Sequence, residues 1–147
     1  MPIHTVLGPI APEELGATSM HEHVWSDANA LRTEPREPYP DDRRVTIENL
    51  GFVRWNLLAL EDNLMLDDPE LAASELRHAG ELGQRAVVDL TSWGLGPRPH
   101  LLPGIARASG LHIVAGCGVY LDRPHPAWIA GLSEAELMAR FRSALEE

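Results

Sequence analysis

His21 and His23 are the residues whose type and spacing point most directly to chemistry. In an extended strand, residues two apart project to one face with their Cα atoms about 6.5 Å apart, so both imidazoles can turn toward a single ion. Each would bind through one nitrogen at roughly 2.0–2.1 Å. Spacing alone is thin support, because the seven histidines of a 147-residue chain, placed at random, give roughly 0.3 such pairs. Position adds weight: the pair ends an early apolar stretch and precedes a long polar excursion, where a barrel enzyme places its catalytic loops. Two readings stay open, a shared metal ion or histidines that only pack. Glu22 alternates to the opposite face and stays outside the ligand set. His4, His78, His100, His112 and His125 have no histidine or carboxylate partner at ligand spacing, and none is assigned to metal.

The elements that must position this pair follow from apolar period and turn residues. Ile3 to Leu7 meets the turn Gly8-Pro9, and Thr18 to Trp25 is a second apolar stretch, so the chain opens as a hairpin feeding a strand that carries both histidines. Ser26 to Arg44 has three prolines, many charges and no period, and resembles an active-site loop more than a linker. Val45 to Leu60 shows a helical rhythm. Asp68-Pro69 then starts a stronger helix, with the Asp68 carboxylate placed to accept from first-turn amides and Pro69 at the first helical position. Ala72, Leu76, Ala79 and Leu82 should line its buried face until Gly83 ends it.

Arg85 to Ser92 reads as a buried strand, and a further strand lies in LHIVAGCGVY. The helix between them should begin near Pro103, since proline damages a helix interior. Together these make a βαβ unit in a parallel sheet covered on both faces, an α/β architecture. A last helix opens on the capping box Ser133-Glu134-Ala135-Glu136, with Met138, Phe141 and Leu145 expected on one face. No solenoid period and no low-complexity tract is present.

Composition narrows the chemistry. With 44% hydrophobic residues the chain can build one core, and its formal net charge of −10, with acids scattered along its length, gives a nucleic-acid surface no support. The lone Cys117 cannot form an intrachain disulfide or a thiolate metal cage. The start lacks a leader pattern and no stretch approaches the ~18 apolar residues of a membrane span, so the expected location is the cytoplasm, with no membrane partner. All 12 basic residues are arginine, which excludes any lysine-based mechanism.

The segment VLGPIAPEELGATSMHEHVW resembles the opening of phosphotriesterase-like proteins, with a hairpin on a GPI turn followed by the His-x-His strand. The resemblance continues through VDLT, GLGPRP, the SG before the next strand, and GVY-x₄-HP, and so covers nearly the whole chain. It implies a (β/α)₈ TIM barrel of the amidohydrolase superfamily. It also implies two divalent ions, zinc by preference but with manganese, cobalt or iron compatible with such donors, bridged by a hydroxide that attacks phosphotriester, lactone or carboxylic ester bonds. His21 and His23 match the family's two first-strand ligands. The family's remaining ligands are a carboxylated lysine or an acid on the fourth strand, histidines on the fifth and sixth, and an aspartate on the eighth.

A barrel of this kind takes about 250 residues, and three of its strands are recognisable here. The expectation is therefore that residues 1–147 are the truncated amino-terminal part of one barrel domain, without a second domain and without a complete catalytic set. Two imidazoles fill half of a tetrahedral shell, so weak, exchangeable metal and negligible turnover by this chain alone are expected. The competing reading is a non-catalytic fragment that self-associates or meets a complementing chain through its open sheet. A different His-x-His barrel hydrolase, such as a metal-dependent nuclease or a cyclic-amide hydrolase, fits the GPI hairpin and the GVY-x₄-HP context less well.

Four further residues carry two readings each. Tyr120 stands where lactonase-type members of the family place a tyrosine beside the leaving oxygen, and equally where a rim tyrosine only packs. Trp25 and Trp93 follow the first two barrel strands and could wall a pocket for a small ester substrate, although packing is the commoner role of tryptophan there. Asp89, inside an apolar strand, either orients a ligand histidine or is a satisfied buried acid, with the structural role favoured.

Overall fold

The computed structural model describes residues 1–123 and 125–146; Pro124, within the GVY-x₄-HP segment, and Glu147 lie outside the described residues. Strands β1 (Ile3–Thr5) and β2 (Gly8–Ile10) pair antiparallel, with Ile3 opposite Ile10. Gly8 takes φ +116°, a left-handed conformation that costs a residue without Cβ little, and the Thr5 hydroxyl donates to its carbonyl at 2.7 Å. The Val6 amide donates to the Ile113 carbonyl at 2.9 Å and ties this hairpin to the main sheet.

That sheet has three parallel strands in the order β3 (Thr18–Glu22), β6 (Ala86–Asp89) and β7 (His112–Ala115). A small antiparallel pair, β4 (Ser26–Asp27) with β5 (Met65–Leu66), gathers the two ends of the excursion that follows β3. Inside the excursion the expected helix over 45–60 is cut down to a 3₁₀ turn at Ile47–Asn49 and α1 (Leu50–Trp55). Asn56 stops it. Its buried side chain donates to Glu37 and to the Phe52 carbonyl and accepts from the Arg36 amide, bonds to the preceding loop that a continuing helix would break.

Helix α2 (Pro69–Glu81) begins as expected: Asp68 Oδ1 accepts from the Glu70 and Leu71 amides at 2.9 Å each. Its buried face is the expected one up to the last turn. Ala72, Ala73, Leu76 and Ala79 turn inward and Leu82 does not, being 78% exposed beyond the last helical turn. Gly80 lies on the inner face instead, where an added Cβ would stand 2.8 Å from Leu111 Cδ1.

Helix α3 (Leu102–Ser109) follows a 3₁₀ turn at Pro99–Leu101, keeps Pro103 in its first turn, and ends at Gly110 with φ +77°. The two helices cover one face of the sheet over a core of Val24, Ala73, Val87, Leu102, Ile105, Ala106, Leu111 and Ile113. Val87 and Ile113 are fully buried, and side chains of that size contribute about 1.5–3 kcal/mol each on leaving water.

Helix α4 (Glu134–Glu146) carries the expected capping box, with Ser133 Oγ 2.7 Å from Glu136 Oε2 and the Ser133 amide 2.8 Å from the same oxygen. Its packed face is Leu137, Phe141 and Ala144, a spacing of four then three. Met138 and Leu145, expected beside Phe141, are exposed.

Candidate metal centre

Strand β3 sets the positions of His21 and His23. Its pairing with β6 runs Thr18 to Ala86, Ser19 to Val87, then Glu22 to Asp89, so three steps on β3 match two on β6. The extra residue is a bulge at Met20-His21, a device that re-aims side chains at a strand end. Regular pairing stops at Glu22, leaving His21 on the last turn of pleat and His23 one residue beyond the strand that was expected to carry both. The two imidazoles nevertheless lie side by side, ring centres 5.6 Å apart and planes 72° apart. Two imidazoles that share one ion with bonds of ~2.0–2.1 Å hold their ring centres roughly 5–6 Å apart, a range that includes the separation seen here.

His21 is exposed and His23 half-buried, with Nδ1 of His23 3.0 Å from Thr91 Oγ1. Thr91 in turn lies on Asp89, whose Oδ1 accepts from the Thr91 hydroxyl at 2.6 Å and from its amide at 3.0 Å. Both Asp89 and Thr91 are buried, each 4% exposed. The apolar strand around Asp89 is therefore satisfied locally, and the same carboxylate stands two contacts from His23. Sequence reasoning weighed Asp89 but passed over Thr91. The available signal was the pair Asp-x-Thr leaving a buried strand, where a carboxylate requires a donor.

Glu22 accepts from the Ser19 hydroxyl on its own strand. Among the described residues no group of three or more His, Cys, Asp or Glu side chains is arranged to hold a metal. Trp93 packs: its ring stacks on Phe141 at 5.3 Å and meets Trp128 edge-on at 5.2 Å. Tyr120 is 42% exposed beyond the carboxyl end of β7, the same end of the parallel sheet at which the histidine pair leaves β3, and its amide donates to the Trp93 carbonyl at 3.0 Å. Trp25 is half-buried directly after the pair. A broad open groove of about 1400 Å³ reaches Asp89, Thr91 and Trp93 but is lined by neither histidine, whereas a recess of about 330 Å³ has His23 in its wall beside Val24 and Leu66. The larger groove is walled by the amino-terminal hairpin, the ends of β6 and β7, and residues of α3 and α4.

Comparison with known proteins decides the family. Residues 1–141 match the Phosphotriesterase family. The chain belongs to the phosphotriesterase family. It is 32% identical over 144 residues to the N-acetyltaurine hydrolase of Rattus norvegicus, covering 92% of this chain and 40% of that one. A phosphotriesterase-related protein of Drosophila mojavensis is 32% identical, covering 85% of this chain and 37% of its own length. Among solved structures, a resiniferatoxin-binding protein from Rhodobacter sphaeroides superposes with a TM-score of 0.84 at 36% identity, covering 90% of this chain and 38% of that one. A lactonase from Listeria monocytogenes superposes with a TM-score of 0.55 at 27% identity over 80% of this chain and 28% of that one. The chain thus spans about two fifths of the relatives it matches, and its three parallel strands are one part of a (β/α)₈ barrel.

Proposed function

We propose that this chain forms the first part of the active site of a metal-dependent hydrolase, with His21 and His23 as two ligands of one divalent ion, zinc by preference. The observation that carries the reading is the convergence of the two imidazoles, 5.6 Å between ring centres, at the end of the first barrel strand. When bound, the ion supplies Lewis acidity and lowers the pKa of water, which is why such sites need no side-chain nucleophile. The chain's own contribution is to hold two neutral nitrogen donors on a bulged strand end and to wall one side of the site with Trp25. Tyr120, exposed at the end of the sheet, is proposed to orient a polar group of a small substrate.

The bond cleaved by the whole protein is proposed to be an ester: a phosphotriester, lactone or carboxylic ester. The lactonase among the structural relatives supports this. The name N-acetyltaurine hydrolase denotes action on an N-acetyl amide, an electrophile of the same carbonyl class, so an N-acyl amide belongs in the same assay panel. Two imidazoles leave half of a tetrahedral shell unfilled and supply no general base. The isolated chain is therefore expected to hold zinc weakly and to turn over none of these substrates.

Equilibrium dialysis of the purified chain against zinc, followed by assays on a lactone, a phosphotriester, a carboxylic ester and an N-acyl amide, tests this reading. Exchangeable zinc without turnover is the expected result; a chain that takes up no zinc, or that catalyses with stoichiometric tightly held zinc, overturns it. Reading the gene past the codon for Glu147 tests the wider claim. An in-frame strand with a lysine or acid, then two histidines and an aspartate, supports it, and a frame that lacks them contradicts it.

A second reading, association with a copy or a complementing chain, is favoured by one feature. Among the described residues β3 pairs with β6 on one side only, and Met20 on β3 is 66% exposed. Light scattering across a range of concentrations distinguishes a constant monomer mass from a rising one.

A further inference from the structure

We infer that Thr91, held by Asp89, fixes the His23 imidazole in its Nδ1–H form and so presents Nε2 for a metal ion. The available protons fix the tautomer. A threonine hydroxyl has one proton to donate. Thr91 spends it on the Asp89 carboxylate at 2.6 Å, the short distance of a charge-assisted bond, and the Thr91 amide secures the same oxygen at 3.0 Å. Toward His23 Nδ1, 3.0 Å away, the hydroxyl has only a lone pair left, so Nδ1 must carry the hydrogen. A neutral imidazole protonated at Nδ1 has its free lone pair on Nε2.

Position strengthens the assignment. Asp89 and Thr91 are each only 4% exposed, which limits competition by water, and His23 and Thr91 stand beyond neighbouring strands, 68 residues apart in sequence. His21 has no such support: among the described residues no hydrogen bond reaches its ring. The two histidines thus differ, one preset by the fold and one free to choose its tautomer when the ion arrives. Thr91 is a positioning residue, acting on the metal through His23, and Asp89 acts through Thr91. The inference rests on the proposed metal role of His23, but its first half, the tautomer, is a property of the metal-free chain.

The test uses long-range nitrogen–proton correlation spectra of the isotope-labelled, metal-free chain at about pH 8, above the usual histidine range, with Thr91→Val and Thr91→Ser beside wild type. In wild type His23 should show a protonated Nδ1 and an unprotonated Nε2, while His21 shows a tautomer mixture. Thr91→Val should return His23 to a mixture without changing His21 and weaken zinc binding by about 10–100-fold, the usual effect of losing such a partner. Thr91→Ser, which keeps the hydroxyl, should restore both within a few fold. A wild-type His23 protonated at Nε2 overturns the inference while leaving zinc binding by the pair intact. So does a folded Thr91→Val chain with unchanged tautomer and zinc affinity. If Thr91→Val does not fold, the wild-type and Thr91→Ser spectra decide alone. Absence of zinc uptake with the Nδ1–H form in place overturns the metal reading, and with it only the second half of the inference.

Discussion

A histidine offers a metal one nitrogen, and the partner of its other nitrogen decides which one and how firmly. His21 and His23 were legible because a His-x-His spacing at a strand end is a local pattern. Their support was not, because the contact from Thr91 to His23 joins residues 68 positions apart and exists only once β3 and β6 pair. Asp89 was visible as a buried acid in need of donors, and the structure supplies them from Thr91. Exposure separates function from stability at this scale. His21 is exposed and makes no hydrogen bond among the described residues, so His21→Ala should change unfolding free energy by no more than about 0.5 kcal/mol while removing a metal donor. Urea denaturation of the two metal-free proteins measures this, and a large loss would mark His21 as structural.

At the scale of elements, caps and turns were read correctly and helix faces less so. Asp68 caps α2 through the Glu70 and Leu71 amides as its position before Pro69 predicts, and Asp68→Ala should cost about 1 kcal/mol in urea unfolding. Ser133 and Glu136 form their capping box, and the Ser133 hydroxyl, followed by its amide, holds the Glu136 carboxyl below its ordinary value. A carboxyl depressed in the folded state stabilises above its unfolded pKa and loses that contribution as pH falls through the lower folded one. Glu136 should accordingly titrate below the usual glutamate value of ~4.3 in wild type and closer to it in Ser133→Ala, as read from its carboxyl chemical shift. The misread faces have local causes. Leu82 sits past the end of α2, Asn56 diverts the chain from helix into loop bonds, and α4 turns Leu137 and Ala144 inward with Phe141 because that ring stacks on Trp93. Periodicity gives a helix its stripe, but which neighbour the stripe meets depends on contacts far along the chain.

At the scale of the molecule, apolar strands separated by helices were enough to predict a parallel sheet, and the ordered motifs were enough to place it in a barrel. The core that holds the sheet to its helices centres on Val87 and Ile113, both fully buried. Ile113→Ala should cost roughly 2–5 kcal/mol, a large share of the stability of one small domain, and a thermal melt that barely moves would show that this core does not hold the fold. The strand order places β6 between β3 and β7, so the segment that carries Asp89 and Thr91 is the best braced of the three and fixes the site from below. Among the described residues no third metal-ligating side chain stands beside the imidazole pair.

The central claim is that His21 and His23 together begin a metal site that this chain does not finish. Zinc titration of the purified chain by isothermal calorimetry, beside His21→Ala and His23→Ala, tests it most directly. The expected result is one weak, chelator-reversible zinc per wild-type chain, lost in either variant. Equal zinc binding by wild type and both variants would contradict the account.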